Sequence, residues 1–254
     1  MRHVVVLCAV LCVFAGCASS NPSQKPIKPG DPRLITLPQS DSLFFLGVSG
    51  PQLKHEQEID TAREDAAKKA AMYHGLEASV VNIQSIGTNS LDYYVDTGFS
   101  MKYDTQLERY TDRLTFDPKK DVFNCEGSVF IRFSYPAVFP GIIDYTSVKN
   151  PDGSPEWTKR PPMEINGFMA AAGFARRQFR MRDTIAKSSE AAIAALVSRS
   201  SSFVRTSDTL INQQNTSSIY QQSQGRLQYF IVLETWIDPE NLSVWTLAVA
   251  RSSN

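Results

Sequence analysis

The chain has 254 residues, 42% of them hydrophobic and 20% charged, a balance typical of an ordinary globular protein. Its 26 Lys and Arg residues are matched by 26 Asp and Glu residues, so no overall charge attracts nucleic acid and we expect no nucleic-acid partner. Of the four cysteines only Cys125 lies beyond residue 17, which excludes an intrachain disulfide in the main body of the chain.

An apolar run, residues 4–16, leads from Met1-Arg2-His3 directly into Cys17. This order is the layout of a cleaved secretory signal, and the run is shorter than the roughly 20 residues of a membrane-spanning helix. The ending Phe14-Ala15-Gly16-Cys17 resembles the lipobox of bacterial lipoproteins, with Phe14 where leucine is usual. We therefore predict a signal peptide over 1–16 and a lipid anchor, palmitate included, on Cys17.

The next segment, 17–40, is predicted to be the lipidated cysteine and a tether. Prolines spaced among Ser, Lys and Gly favour an extended, semi-rigid spacer. These prolines are Pro22, Pro26, Pro29 and Pro32. The alternative is a soluble export signal cleaved near Ala18, with no lipid attached.

After the tether, two segments match at a constant spacing of 123 residues. The run Phe45–Gly50 corresponds to Phe168–Gly173, and further matches continue through a loop and a helical pattern. An uninterrupted spacing of this kind indicates an internal repeat. We predict an α+β fold of two tandem modules, 41–140 and 163–254, joined by a linker over 141–162. In each module one helix would pack on a mainly antiparallel sheet.

Each module contains an amphipathic helical pattern with a small-residue face. The expected buried residues are Ile59, Ala62, Ala66, Ala70 and Tyr73 in the first helix and Ile185, Ser189, Ala192, Ile193 and Leu196 in the second. Asp183 is predicted to cap the second helix. The pairs Glu64–Lys68 and Asp65–Lys69 are predicted to lie on the solvent face of the first helix.

Strand-like segments follow each helix. Residues 80–83 and 203–205 are predicted strands, and 227–237 with 242–249 form a predicted hairpin around the turn 238–241. In the first module the candidate strands are 110–116, 122–125 and 129–133, with the turn at either 117–120 or 127–128. Two polar inserts, 92–103 and 212–225, interrupt the pattern. The tyrosines of the first insert, Tyr93, Tyr94 and Tyr103, predict either a recognition surface or an extension of the sheet.

Motifs of catalysis are missing from the sequence. His55-Glu56 begins like a zinc-protease motif, but Ile59 occupies the position of the second histidine. We interpret His74 as a solvated side chain and Cys125 as a small strand residue. No nucleotide fingerprint, nucleophile elbow or calcium loop is present, so we predict a non-enzymatic protein with no cofactor and no metal site.

One charged cluster is not explained by the repeat, because the first module has no matching run of arginines. Arg176, Arg177, Arg180 and Arg182 precede the second helix, with Phe174 and Phe179 among them. Positive side chains at a helix N-terminus oppose the helix dipole. The cluster therefore predicts an anion-binding or partner-binding site, lipid headgroups included; the alternative is a solvated loop whose arginines pair with nearby carboxylates.

Several of these features occur together in one known group. Pro155-Glu156-Trp157, Pro161-Pro162, the run Phe168–Gly173, an alanine-rich helix and a closing hairpin with Trp236 and Trp245 resemble the bacterial Lpp-twenty lipoprotein domain. The chain is also similar in outline to the amino-terminal module of the flagellar T-ring-associated protein. The resemblance is strongest over 155–251. It implies an envelope lipoprotein of α+β modules with no catalytic residues.

The expected function is that of a lipid-anchored cell-envelope protein with a binding or scaffolding role, its partners being the membrane and an envelope protein. By analogy with lipoproteins in general, Ala18 after the lipidated cysteine favours the outer membrane. The alternatives are an accessory factor for flagellar or other envelope machinery and a periplasmic enzyme.

Overall fold

Two antiparallel β-sheets and two long helices make up an α+β fold. The computed structural model describes residues 31, 34–87, 93–200, 203–211 and 214–253. The predicted signal peptide, Cys17 and most of the tether lie outside the described residues. Within the described ranges, no helix is both long enough and apolar enough to cross a bilayer.

The smaller sheet has three strands in the order β1 (Leu43–Ser49), β5 (Ser128–Tyr135) and β4 (Val122–Cys125). β4 and β5 form a hairpin whose turn residues Glu126 and Gly127 have φ of 48° and 71°. Glycine adopts such a left-handed conformation at no steric cost, so the hairpin closes at Glu126-Gly127, one residue before the candidate turn 127–128.

The larger sheet combines strands from both halves of the chain. Its order is β3-β2-β9-β10-β7-β6, with β8 also paired to β9. The strands are β2 (Leu76–Gly87), β3 (Tyr93–Lys102), β6 (Glu164–Ile165), β7 (Phe168–Ala175), β8 (Phe203–Ile211), β9 (Gln214–Ile237) and β10 (Val244–Ser252). The described residues of both polar inserts, apart from Tyr103, are strand, and β9 is one strand of 24 residues. The second insert is rich in Gln, Ser and Asn and gives no signal of a buried face, which is why it looked like an interruption.

Helices α1 (His55–His74) and α3 (Met181–Ser200) each have 20 residues. The predicted face of α1 is buried at Ala62, Ala66, Ala70 and Tyr73. Asp65 and Lys69 form the expected ion pair, at 2.8 Å, but the prediction that they face solvent was wrong. The Asp65 carboxylate accepts a hydrogen bond from the Val48 amide, so this pair joins the helix to β1.

Three local predictions differ from the structure. Asp183 does not cap α3, because the helix begins at Met181 and Asp183 lies within its first turn. Residues 110–116 do not form a strand. Tyr110 and Thr111 are the last residues of the short helix α2 (Glu108–Thr111), and Thr115 forms an isolated bridge to Ser134 of β5. In the second helix, the predicted core residue Ser189 is only partly buried.

The two long helices begin 126 residues apart, whereas the spacing of the predicted repeat is 123. Gly47 of β1 lies against the backbone of Ala62, and Gly173 of β7 lies against the backbone of Ser188. In both cases the helix contact comes fifteen residues after the glycine. Gly50, which a spacing of 123 would match to Gly173, has no heavy atom near the place where its Cβ would be.

Both faces of the larger sheet are covered around β7 and β10. Because neighbouring strand residues point to opposite faces, Ala170 and Val249 pack in the cluster that contains α1, and Ala171 and Ala248 pack against α3. The α1 cluster also includes Phe133 of the smaller sheet, so α1 lies between the two sheets.

The predicted linker 141–162 is packed against the larger sheet. Trp157 lies in a single turn of 3₁₀ helix, is buried, and donates from Nε1 to the Glu234 carboxylate at 2.8 Å. The β2–β9 pairing runs from Leu76↔Leu227 to Gly87↔Thr216 and unites the two halves in one sheet.

Candidate functional site

The arginine loop, residues 176–180, connects β7 to α3 and is exposed along its whole length. It contains Arg176, Arg177 and Arg180, with Phe179 between them 97% exposed. None of these arginines forms an ion pair with any residue that the structure describes. Phe174, at the end of β7, instead packs against Trp245 with the two rings tilted and their centroids 4.7 Å apart. The loop therefore presents three exposed guanidinium groups and one exposed aromatic ring.

Thr184 holds the arginine loop against the start of α3. Its hydroxyl accepts a hydrogen bond from the Gln178 amide at 2.9 Å and donates to the Arg180 carbonyl at 3.2 Å. The Gln178 side chain donates to the Arg176 carbonyl at 3.1 Å. These bonds shape the backbone and leave the guanidinium groups free to meet a partner.

Arg182, the fourth predicted residue, is separate from the other three. It is partly buried in the first turn of α3 and lines a cavity of about 190 Å³ between α1 and α3. Asp65, Lys68 and Glu190 also line this cavity, so carboxylates lie close to Arg182. The structure thus keeps three of the four arginines together on one exposed loop.

A second site is a cleft of about 400 Å³ at the C-terminal end of α1. The strands β2, β3 and β9 meet α1 there, and the lining includes charges of both signs: His74, Glu77, Lys102, Asp104 and Arg226. Sequence reasoning missed this cleft. Its residues come from three distant segments of the chain, so no local spacing could have indicated it.

His74 is exposed at its edge but packs against the rings of Tyr73, Tyr110 and Tyr135. Its Nε2 lies 3.0 Å from the Tyr135 hydroxyl, which also accepts a hydrogen bond from Arg113 at 2.6 Å. Burial of the ring, and then the nearby Arg113 charge, lower the pKa of His74 below its usual value of 6.5. The interpretation of His74 as merely solvated was therefore incomplete.

The carboxylates of the cleft already have partners. Asp104 accepts hydrogen bonds from the Gln106 amide at 2.9 Å and from the Tyr110 hydroxyl at 3.0 Å, which lower its pKa. Glu77 accepts from Arg226 Nε at 3.0 Å, and this bond lowers the pKa of Glu77. His74, Asp104 and Glu77 are each bonded to a different partner, so the cleft can attract a charged ligand but holds no preformed acid–base pair.

The other predicted residues have structural surroundings. Tyr103 is partly buried and packs against both main hydrophobic clusters, whereas the side chains of Tyr93 and Tyr94 lie outside the described part. Cys125 ends β4, and burial raises its pKa to about 11, so it remains a thiol at neutral pH. Among the residues described, no group of three or more His, Cys, Asp or Glu side chains could hold a metal ion.

Comparisons with known protein families, with curated proteins and with solved structures give no significant match.

Proposed function

We propose that this protein is a lipid-anchored cell-envelope lipoprotein with a non-catalytic binding or scaffolding role. The observation that carries the binding role is the arginine loop. Arg176, Arg177 and Arg180 are exposed, have no ion-pair partner among the described residues, and share their loop with the exposed ring of Phe179. Unpaired guanidinium groups beside an aromatic ring suit recognition of an acidic or anionic surface. The anchor itself rests on the apolar run and Cys17.

The proposed role is non-catalytic because the reactive side chains are already bonded elsewhere. His74 contacts Tyr135, and Asp104 accepts from Tyr110, with no hydrogen bond between the histidine and a carboxylate in the described structure. A general base needs its acid or substrate within hydrogen-bond reach. A periplasmic enzyme remains the alternative if a ligand rearranges the cleft around His74.

We further propose that the chain contains two copies of one α+β unit, of the kind seen in Lpp-twenty lipoproteins. The supporting observation is the 126-residue correspondence between His55–His74 and Met181–Ser200, each packed on a glycine of the preceding strand. A glycine kept at the same distance before each helix is the expected remnant of a duplicated unit. Ala18 after the proposed lipid site favours the outer membrane.

A second candidate function is an accessory role in flagellar or other envelope machinery. Its supporting observation is that β3 and β8 each pair on one side only within the described residues. Unpaired strand edges can accept a strand from another protein. Co-purification with a large envelope assembly would favour this function over that of a free-standing envelope protein.

The lipid anchor is tested by mass spectrometry of the mature protein. We expect the N-terminal residue to be Cys17 with fatty acyl groups attached, and the protein to sediment with membranes. Cys17→Ser should abolish the acylation, because serine has no thiol to which the lipid could be attached. Cys125→Ser is the matched control and should not alter membrane association. An unmodified Cys17, or a mature terminus elsewhere, would contradict the anchor.

A further inference from the structure

We propose that the end of the body bearing the arginine loop docks on the bilayer, with Phe179 at the headgroup boundary and the three arginines on anionic headgroups. This proposal rests on the proposed anchor for its choice of membrane, since the bilayer is the one that holds the lipid of Cys17. It names the partner of the arginine loop.

The tether enters the body beside the arginine loop. Leu34 is 2% exposed and belongs to a hydrophobic cluster that also contains Val48, Met181 and Val244. Met181 directly follows the arginine loop. The Thr36 amide donates to the Leu233 carbonyl at 2.9 Å, which fixes the chain at this point. Leu34 comes only seventeen positions after Cys17, so this end lies within about 60 Å of the lipid.

Two exposed apolar side chains lie on connections next to this cluster: one connection follows Val48 of β1, and the other leads into Met181 of α3. Phe179 follows β7, and Leu53, which is 100% exposed, follows β1. At the spacing of 126 residues these two positions correspond, and each is followed by a basic residue, Lys54 or Arg180. Large apolar side chains in water gain free energy when they enter the interfacial region of a membrane. The same arrangement on two loops gives the body two apolar contacts beside its tether.

The charge at this end is mixed, with arginine at the tip. The β9–β10 turn lies beside the arginine loop, because Val244 pairs with Ala175 directly before that loop. This turn carries Asp238 and Glu240. The Asp238 carboxylate accepts hydrogen bonds from the Glu240 amide and the Asn241 side chain, whereas the Glu240 side chain is exposed. Glu240 therefore opposes binding to an anionic surface and supplies a variant of opposite sign.

The opposite end of β7 supplies matched controls. Ile142 is 82% exposed and lies beside Gly141, which packs near Phe168 at the start of β7. Arg160 is exposed and close to Pro162, whose carbonyl accepts a hydrogen bond from Arg199 near the end of α3. A substitution at Ile142 removes an exposed apolar side chain, and one at Arg160 removes an exposed positive charge, both away from the proposed membrane-binding surface.

The test uses the lipid-free chain from Ala18 to Asn254, which keeps every residue that the structure describes. Binding is measured by sedimentation with vesicles of phosphatidylethanolamine and phosphatidylglycerol, and with vesicles of phosphatidylcholine alone. We expect binding to the anionic vesicles only. Each of Arg176→Gln, Arg177→Gln and Arg180→Gln should weaken it about fivefold, and Phe179→Ser about tenfold. Glu240→Gln should strengthen it a few-fold, whereas Ile142→Ser and Arg160→Gln should leave it unchanged.

Equal binding to both vesicle types would overturn the docking proposal. Arginine-loop variants that bind anionic vesicles as tightly as the parent would also overturn it. Binding of the arginine loop to an acidic protein with no affinity for vesicles would overturn it as well. Because all substituted side chains are exposed, we expect unchanged thermal midpoints, which separate lost binding from lost folding. The vesicle test needs no lipid on Cys17, so its failure and the failure of the lipid anchor are distinguishable.

Discussion

Glu234 shows how a single buried side chain holds a long segment in place. It is 2% exposed, and its carboxylate accepts hydrogen bonds from Tyr145, Ser147, Lys149 and Trp157. All four donors come from one stretch of chain that has little regular structure. A buried carboxylate is costly unless its oxygens are satisfied, so these donors and Glu234 depend on one another.

We expect Glu234→Gln to lower the free energy of unfolding by about 2–4 kcal/mol. The amide has one acceptor oxygen in place of two, and its NH₂ group would face the Tyr145 hydroxyl and the Trp157 indole N–H. Urea unfolding followed by tryptophan fluorescence measures the change. Glu240→Gln makes the same chemical substitution at an exposed site and should cost under about 0.5 kcal/mol. Equal effects of the two substitutions would contradict the role of Glu234.

At the scale of elements, the close approach of each long helix to its strand depends on one glycine. A methyl group at Gly47 would overlap the carbonyl of Ala62, and one at Gly173 would overlap the backbone of Ser188. Neither backbone can move without opening the contact between helix and sheet. This contact is dense because the facing helix residues are mainly alanine and serine.

Gly47→Ala and Gly173→Ala should therefore each destabilise the fold by about 3 kcal/mol. Gly50→Ala should be almost neutral, because no heavy atom lies within 4 Å of its added Cβ. Thermal unfolding of the three variants gives the comparison. This set also tests the spacing of the two units: a spacing of 126 makes Gly47 the counterpart of Gly173, and a spacing of 123 would make it Gly50.

At the scale of the whole molecule, the two halves are joined by strand pairing as well as by packing. β2 from the first half lies in the larger sheet, paired with β9. The buried alanines of α1 share a cluster with Ile231 and Val249 of the second half. Neither half can keep its core when the other is removed, because each supplies one wall of the other's hydrophobic cluster.

We therefore expect one cooperative unfolding transition. The three tryptophans, Trp157, Trp236 and Trp245, all report on the second half, and Cys125 in β4 reports on the first. In the chain that begins at Ala18, Cys125 is the sole cysteine, so its labelling rate measures exposure of the smaller sheet. Tryptophan fluorescence and Cys125 labelling should give coincident urea midpoints. Separate midpoints would show that the halves unfold independently.

The local elements were largely predictable, because their signals are short-range. Alanine at three- and four-residue intervals indicated α1, and the turn 238–241 indicated the hairpin of β9 and β10. The exposed arginine loop was likewise visible as a run of like charge with no counterpart in the first half. Cys17 remains a prediction of the same local kind.

What the sequence could not indicate was which distant residues meet. Most of β8 has no apolar alternation, because pairing with β9 satisfies its backbone whatever its side chains, whereas Phe99 and Met101 of β3 alternate and pack against the α3 cluster. Glu234 looked like one more acidic residue, and Leu34 like part of a tether. Only the folded chain brings Glu234 to Trp157 and Leu34 to the cluster beside Met181. Periodicity and turn chemistry act over a few residues, whereas these contacts depend on how two sheets and two helices exclude water together.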